Sequence, residues 1–141
     1  MPIRPEFRQF YGREWREVTR PRILARAGNK CEQCGKPNHA LVETVTSPYW
    51  NRMWWRRLGA FAAWRNAFGE TTVLEIAGEN SNMHRVRVVL TIAHLDHTPG
   101  HDEDANLKAL CQWCHLNYDK LHHHETRSTR KDAARPLLVS A

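Results

Sequence analysis

Two pairs of cysteines constrain the fold of this chain more than any other feature. Cys31 and Cys34 form one C-x-x-C pair, Cys111 and Cys114 form the other, and the 141-residue sequence contains no further cysteine. Two thiolate pairs of this spacing match a tetrahedral four-cysteine zinc site, in which each short loop supplies two ligands. We therefore predict a structural Zn²⁺ that joins an early segment of the chain to a late one and leaves the chemistry to other residues.

The N-terminal residues and the hydropathy indicate the compartment. Residues 1–8 carry charges and prolines where a signal peptide needs an apolar stretch. No segment approaches the roughly 18 consecutive apolar residues of a membrane span. We expect a cytoplasmic protein with no membrane partner and with reduced thiols, which favours a metal site over disulfides. A redox C-x-x-C is the competing interpretation, but a redox protein needs one such pair and not two.

The charge distribution points to a polyanionic partner. The chain has 21 Lys and Arg against 15 Asp and Glu, a net charge of +6. Residues 93–119 reverse this balance, with one Lys against five Asp or Glu. An acidic stretch between basic flanks is expected of a nuclease that acts through a hard cation, because carboxylates hold the ion while Lys and Arg hold phosphates.

A third pattern surrounds the second cysteine pair. Asp96 and His97 are adjacent, Asn106 lies shortly before Cys111, and His115 directly follows Cys114. Together with both cysteine pairs, this pattern resembles the HNH endonuclease family over residues 29–36 and 90–119. The resemblance implies an α+β fold, a ββα-metal finger stapled by the zinc, to which the sequence patterns described below add an N-terminal helix and a helix-plus-hairpin insertion. It also implies hydrolysis of DNA phosphodiester bonds, with Mg²⁺ or another divalent ion as cofactor.

The Asp-His dipeptide supplies the groups that such hydrolysis requires. A base must deprotonate water, and a cation must stabilise the leaving 3′-oxygen. We assign the base to His97 and a metal ligand to Asp96, since a neutral imidazole beside a carboxylate can supply both functions. His94 is a second candidate for the base, because strand alternation places it with Asp96 on one face and His97 on the other. The alternative for His94 is a buried structural histidine.

A helix over residues 111–126 would align further ligands. Residues four and then three positions apart share one stripe of an α-helix, which predicts that His115, Asp119 and His122 face the cation. The resemblance assigns metal binding to His115. It makes Asn106 either a ligand or the group that orients the base.

The remaining sequence divides into segments of one domain over residues 1–141. We expect a basic N-terminal helix over 1–30, as a short helix that Thr19 caps and Gly28 ends, and a zinc knuckle over 31–36. An insertion over 38–92, a ββα core over 93–124 and a basic tail over 125–141 follow. Helical periodicity predicts a helix over 49–68, and β-branched stretches at 71–77 and 85–93 predict an antiparallel hairpin.

Several side chains are candidates for nucleic-acid contacts. The arginines suit phosphates and the indole suits base stacking. The alternatives are a solvated helix face for the arginines and a half-buried indole. A solvated helix end is the interpretation of His123 and His124 and the alternative for His122. The candidates for nucleic-acid contacts are Arg16, Arg20, Arg22, Arg26, Arg52, Arg56 and Trp55.

The resemblance also suggests partners and a rival function. DNA is the expected substrate, and phage DNA processing in the bacterial host cytoplasm is the expected setting. A single site of this kind cuts one strand, so double-strand cleavage would need a homodimer or two encounters, and phage packaging proteins are the other candidate partners. The rival is a non-catalytic zinc-containing nucleic-acid-binding module, or a subunit of a DNA-processing assembly.

Overall fold

The protein is described by a computed structural model over residues 3–47, 50–58, 63–72 and 82–133. In these ranges the chain is a mixed α+β fold with two antiparallel sheets, and no helix there is long and apolar enough to cross a bilayer. The α-helices are α1 (Arg20–Arg26) and α2 (Gln112–Ala133). The strands are β1 (Leu41–Ser47), β2 (Trp50–Arg57), β3 (Trp64–Asn66), β4 (Thr71–Thr72), β5 (Asn82–Arg87), β6 (Thr91–His94) and β7 (Leu107–Leu110).

Two short helical segments form an N-terminal arm ahead of α1. Pro5–Tyr11 is a 3₁₀ helix, and Trp15–Thr19 is a π-helical turn that runs directly into α1. The prediction that Thr19 caps a helix is wrong. Thr19 has helical dihedral angles and makes no capping bond, because the chain is already helical before it. The predicted end is confirmed, since Gly28 has a φ of +65°, the left-handed conformation common after a helix.

The insertion forms a five-stranded sheet in the order β4-β3-β2-β1-β5. The predicted helix over 49–68 is wrong, because β2 and β3 occupy residues 50–57 and 64–66. Met53 and Trp55 are buried while Trp54 and Arg56 are only half-buried, which is the two-residue repeat of a strand. Tryptophan also favours strands, where its ring packs on a pleated surface.

The predicted hairpin between 71–77 and 85–93 is wrong in its pairing. β4 pairs with β3, and β5 pairs with β1; residues 73–81 lie outside the described part of the chain. The stretch over 85–93 is broken where the Val88 N–H donates to the Ala40 carbonyl at 2.8 Å and the Leu90 N–H donates to Asn38 Oδ1 at 3.0 Å. Long-range pairing with β1 thus takes the hydrogen bonds of the expected local hairpin.

The second sheet and α2 follow each other as strand, strand and helix. β6 and β7 are antiparallel, with Thr91 opposite Leu110 and His94 opposite Leu107. α2 begins at Gln112, which confirms the helix predicted over 111–126, and it continues to Ala133 into the expected tail. Residues 134–141 of that tail lie outside the described ranges.

Two hydrophobic clusters hold these parts together. The larger one surrounds the four cysteines and joins both sheets through Val42, Met53, Trp55, Val88, Leu90 and Leu110. The smaller one packs the N-terminal arm and α1 against β6 and β7, through Trp15, Ile23, Ile92, Leu107 and Ala109.

Trp55 provides a test of the larger cluster. Its side chain is 4% exposed, and its Nε1–H donates to the Cys34 carbonyl at 3.0 Å. We expect Trp55→Ala to lower the free energy of unfolding by about 3–5 kcal/mol, as for other buried aromatic residues. Trp55→Phe should cost about 1–3 kcal/mol, because it leaves a buried carbonyl without its donor.

Chemical denaturation under reducing conditions measures both changes. Leu58→Ala at the end of β2, where the residue is 37% exposed, is the control and should cost far less. A Trp55→Ala protein as stable as the Leu58→Ala protein would show that Trp55 does not stabilise the cluster.

Candidate functional site

The four cysteines form a buried cluster suited to one metal ion. Their Sγ atoms all lie within 4.8 Å of one another, and Cys34 Sγ is 3.7 Å from Cys111 Sγ. A tetrahedral zinc with Zn–S bonds of about 2.3 Å requires S–S separations of about 3.8 Å. The predicted grouping of both C-x-x-C pairs is therefore confirmed, and its geometry fits Zn²⁺.

Local backbone geometry shapes the knuckle that carries the first pair. The Gly35 N–H donates to the Cys31 carbonyl at 2.9 Å, and Gly35 has a φ of +81°, which a residue with a Cβ would adopt only with strain. The Cys31 N–H donates to the Lys36 carbonyl at 2.9 Å, and Lys30 forms a β-bridge with Pro37. These bonds aim both thiols of the knuckle toward the start of α2.

Contacts among the four thiols divide their pKa values, because hydrogen bonds within the cluster raise the pKa of Cys34 and Cys114 and lower the pKa of Cys31 and Cys111. A hydrogen bond from Cys114 is the main cause that lowers the pKa of Cys111 to about 7, and the buried Lys36 cation acts in the same direction. A hydrogen bond with Cys111 is likewise the main cause that lowers the pKa of Cys31. Zinc binds thiolates, so metal binding would release the protons that the metal-free cluster retains.

A cleft of about 520 Å³ separates the N-terminal arm from β6 and α2. Arm residues, including Arg4 and Tyr11, line one side. The other side carries the titratable groups His94, His97, His115, Asp119, His122 and His123. Several of the residues predicted from the sequence therefore meet in one open cavity.

Asp119 is the centre of this histidine group. Its Oδ1 is 3.2 Å from His97 Nδ1, and its Oδ2 is 3.0 Å from His115 Nε2 and 4.0 Å from His123 Nε2. His115, Asp119 and His123 are spaced four residues apart on α2, so they share one face of the helix. A single carboxylate thus contacts one imidazole from the loop between β6 and β7 and two imidazoles from α2.

His97 reaches α2 because the chain turns sharply after β6. β6 ends at His94, the His97 N–H donates to the His94 carbonyl at 3.1 Å, and His97 has a φ of +57°. The His97 ring stacks on His122 at 4.2 Å and on Tyr118 at 5.3 Å between centroids. The prediction that His94 and His97 lie on opposite faces is therefore wrong, because strand alternation stops before His97.

Asp96 points into the loop that follows this turn. Its Oδ1 accepts hydrogen bonds from the Thr98 N–H at 2.9 Å and Asn106 Nδ2 at 3.0 Å, and its Oδ2 contacts His101 Nδ1. Hydrogen bonds from His101 and then Asn106 lower the pKa of Asp96. Both carboxylate oxygens are thus engaged within the loop, and the ligand role of Asp96 stays a prediction.

Asn106 holds this loop closed. Its Nδ2 also donates to the His101 carbonyl at 2.8 Å, and its Oδ1 accepts from the Asp96 N–H at 3.1 Å. These contacts match the orienting role that was one of two alternatives for Asn106. The loop in turn positions the adjacent His97.

His94 is buried, with 8% of its surface exposed. Its ring stacks on Trp15 at 5.3 Å and meets Tyr11 edge-on, and its Nε2 lies 2.8 Å from Asp102 Oδ1. Burial first and the Asp102 charge second raise the pKa of Tyr11. This environment agrees with the interpretation of His94 as a structural histidine, although His94 also lines the cleft.

The histidine group has features of a cation site. Burial lowers the pKa of His115, which keeps the imidazole neutral, as a metal ligand must be. His123 Nε2 is buried without a hydrogen-bond partner in the described structure. Imidazole and carboxylate donors together suit a divalent transition ion. The group is looser than the cysteine cluster, which among the described residues is the one set whose ligand atoms all lie within 4.8 Å.

Sequence reasoning missed His123, which lines the cleft, and Asp102, which contacts the cleft residue His94. His123 was interpreted as part of a solvated helix end, although its spacing of four from Asp119 would have placed it on the stripe with His115. Asp102 carries no comparable signal, because its contact with His94 depends on how the loop folds back.

The arginines of α1 make contacts within the protein. Arg22 pairs with Asp104 at 2.8 Å, and Arg26 pairs with Glu32 at 3.0 Å. Arg20 donates to a backbone carbonyl just before β6 at 3.2 Å. These arginines attach α1 to the second sheet and to the knuckle. A phosphate that binds them would have to share guanidinium groups that already contact carboxylates and a carbonyl of the protein.

The other candidates for nucleic-acid contacts differ in position. Trp55 is buried, so the prediction that it stacks on bases is wrong. Arg56 pairs with Glu43 at 2.8 Å. Arg16 is exposed and its role stays a prediction, while the side chain of Arg52 lies outside the described structure.

Comparison of the chain with protein-family models, curated proteins and solved structures finds no match. The function of the chain is therefore inferred from the cysteine cluster and from the cleft that the histidine group lines, which we call the histidine cleft.

The cysteine cluster predicts about one tightly held zinc per chain. We expect Cys111→Ser to lose this zinc and most of the folding stability, because one substitution removes a ligand shared by the knuckle and α2. Elemental analysis and thermal unfolding measure these effects. A chelator should lower the melting temperature of the wild-type protein but not that of Cys111→Ser. A folded, reduced sample without zinc would contradict the prediction.

The Asn106 contacts predict a local stability effect. Asn106→Asp removes both bonds donated by Nδ2 and places a carboxylate beside Asp96, so we expect the free energy of unfolding to fall by about 1–3 kcal/mol. Hydrogen exchange in residues 95–106 should become faster. Asn117→Asp is the control, since Asn117 is exposed and donates only to the Trp113 carbonyl at 2.8 Å. Equal effects of the two substitutions would exclude a special role for Asn106.

Proposed function

We propose that this chain is a metal-dependent endonuclease that hydrolyses DNA phosphodiester bonds, as its resemblance to the HNH family suggests. The observation that carries the proposal is the contact between His97 and Asp119 at 3.2 Å in an open cleft. It combines an oriented imidazole with a cluster of metal-ligand side chains on one face of α2.

The contact with Asp119 supports the assignment of the general base to His97. A carboxylate that accepts a hydrogen bond from Nδ1–H keeps the proton on that nitrogen and leaves Nε2 free to accept one. Nε2 would then take a proton from the attacking water as the phosphorus–oxygen bond forms. The stacked rings of His122 and Tyr118 hold the imidazole in place for this step.

The same helix face would hold a divalent ion. His115, Asp119 and His123 offer two imidazoles and a carboxylate, and His123 Nε2 is a buried ligand atom that makes no hydrogen bond in the described structure. His122 and Asp96 are additional candidates from the sequence pattern. A bound divalent ion would stabilise the negative charge that develops on the phosphate and on the departing 3′-oxygen.

Basic residues favour DNA as the substrate. The net charge of +6 attracts a polyanion, and Arg4 lines the cleft next to the histidine group. Each chain has one such cleft in its described part, so it would nick one strand at a time. Double-strand cleavage would need two chains or two encounters.

One observation favours the rival, a zinc-containing nucleic-acid-binding module without catalysis. His97 stacks on two rings, and the Asp96 carboxylate is engaged by its own loop, so both predicted catalytic groups have partners within the protein. Such a module would bind DNA without any requirement for His97 or for a divalent ion.

A plasmid-nicking assay with added Mg²⁺, Mn²⁺ or Ni²⁺ separates the two functions. We expect His97→Ala to reduce nicking by about 10²-fold or more, the usual loss when a general base is removed, with folding and DNA binding retained. His94→Ala should have a smaller effect on turnover. His84→Ala, an exposed histidine on β5, is the control.

The ligand assignment has its own matched pair. His123→Ala should raise the divalent-ion concentration needed for half-maximal nicking, whereas His124→Ala should not, because His124 is exposed. If His94→Ala abolishes nicking and His97→Ala does not, the base is His94. If no divalent ion supports cleavage by the wild-type protein, the nuclease proposal is wrong and the binding module replaces it.

A further inference from the structure

A second pocket lies between the zinc knuckle and the five-stranded sheet. It encloses about 310 Å³ and shares no lining residue with the histidine cleft. Three cationic side chains line it, Lys30 from the knuckle, Arg57 from β2 and Arg65 from β3. We propose that this pocket binds a backbone phosphate of nucleic acid.

The three cations are available for a ligand. No hydrogen bond or ion pair joins the Lys30, Arg57 or Arg65 side chains to another described residue, in contrast to Arg22, Arg26 and Arg56. None of the described residues that line the pocket is acidic. Three like charges around one small cavity repel each other. A bound anion would relieve this repulsion, which no carboxylate of the described lining neutralises.

The strand register holds the two arginines on one face. Arg65 lies opposite Trp55 in the β2–β3 pair, and Arg57 is two residues beyond Trp55 on β2. Side chains two apart on a strand, and directly opposite across a pair, project from the same face of a sheet. Arg57 and Arg65 therefore project on the same side.

The zinc knuckle brings the third cation to this face. The bridge between Lys30 and Pro37 closes the knuckle, and the Trp55 Nε1–H bond to Cys34 attaches the knuckle to β2. The cysteine cluster restrains the same segment from the other side. The backbone that carries the three exposed cations is thus held in place by the knuckle and the sheet.

The chemistry of the pocket selects a phosphodiester group. Guanidinium groups match phosphate oxygens by paired hydrogen bonds, and Lys adds a point charge. Trp55, the only aromatic side chain among the described residues of the lining, is buried and cannot stack on a base. Backbone phosphates carry no base information, so the pocket would add affinity without sequence preference.

This inference rests on nucleic acid as the ligand of the proposed function, but not on catalysis by His97. It is tested by the fluorescence anisotropy of a labelled DNA duplex without added divalent ion. We expect Arg57→Gln/Arg65→Gln to bind roughly tenfold or more weakly at about 50 mM salt. The slope of log K against log salt should become shallower by about 0.9 for each lost contact.

The control is Arg13→Gln/Arg85→Gln, which removes the same charge. Arg13 already pairs with Glu17 at 2.9 Å, and Arg85 lies 3.9 Å from Glu43. Zinc content and melting temperature verify that both double variants are folded. Competition by inorganic phosphate distinguishes a nucleic-acid site from a site for small anions.

The outcomes separate this inference from the nuclease proposal. If the two double variants bind DNA with equal affinity and with equal slopes of log K against log salt, the phosphate-pocket proposal is wrong, even if nicking persists. The proposal is also wrong if Arg57→Gln/Arg65→Gln binds DNA as tightly as the wild type does but inorganic phosphate no longer competes. The two arginines would then bind a small anion and not the DNA. Pocket-dependent DNA binding without cleavage supports the pocket and overturns the nuclease. A wild-type protein that does not bind DNA overturns both.

Discussion

The contact among four sulfur atoms determines how the rest of this protein is arranged. Cys34 and Cys111 are 77 positions apart in sequence, yet their Sγ atoms are 3.7 Å apart. On one side the cluster restrains the knuckle, which the indole of Trp55 attaches to the five-stranded sheet. On the other side it fixes the start of α2. Loss of this contact would release both sheets from their common core, because the larger hydrophobic cluster is built around the cysteines.

The histidine cleft depends on the same helix start. Cys114 lies in the first turn of α2, and Asp119 follows little more than one turn later, so the cysteine cluster sets the direction in which that carboxylate projects. β7 ends immediately before the cluster and pairs with β6, whose last residue is His94. The loop closed by Asn106 then brings His97 back to α2. Structural metal binding and the proposed chemistry are thereby joined through short, rigid segments.

Local patterns predicted the parts of the fold that depend on local chemistry. The cysteine spacing identified the metal cluster, and the helical spacing of His115 and Asp119 placed both on one face of α2. Prediction failed where distant residues decide the structure. The apolar positions of 49–68 fit a helical wheel, but pairing with β1 makes the segment a strand. The buried position of Trp55 and the contact of His94 with Asp102 depend on packing between segments that no local pattern links.

The order of the ligands along the chain affects how the protein matures during synthesis. The first cysteine pair leaves the ribosome long before the second, and half a coordination shell holds zinc weakly. The cleft cannot assemble until α2 has emerged, since Asp119 and His123 come after the last cysteine. A nascent chain therefore carries exposed basic segments but no complete histidine group. A complete set of four sulfur ligands therefore becomes available only when the start of α2 has been made.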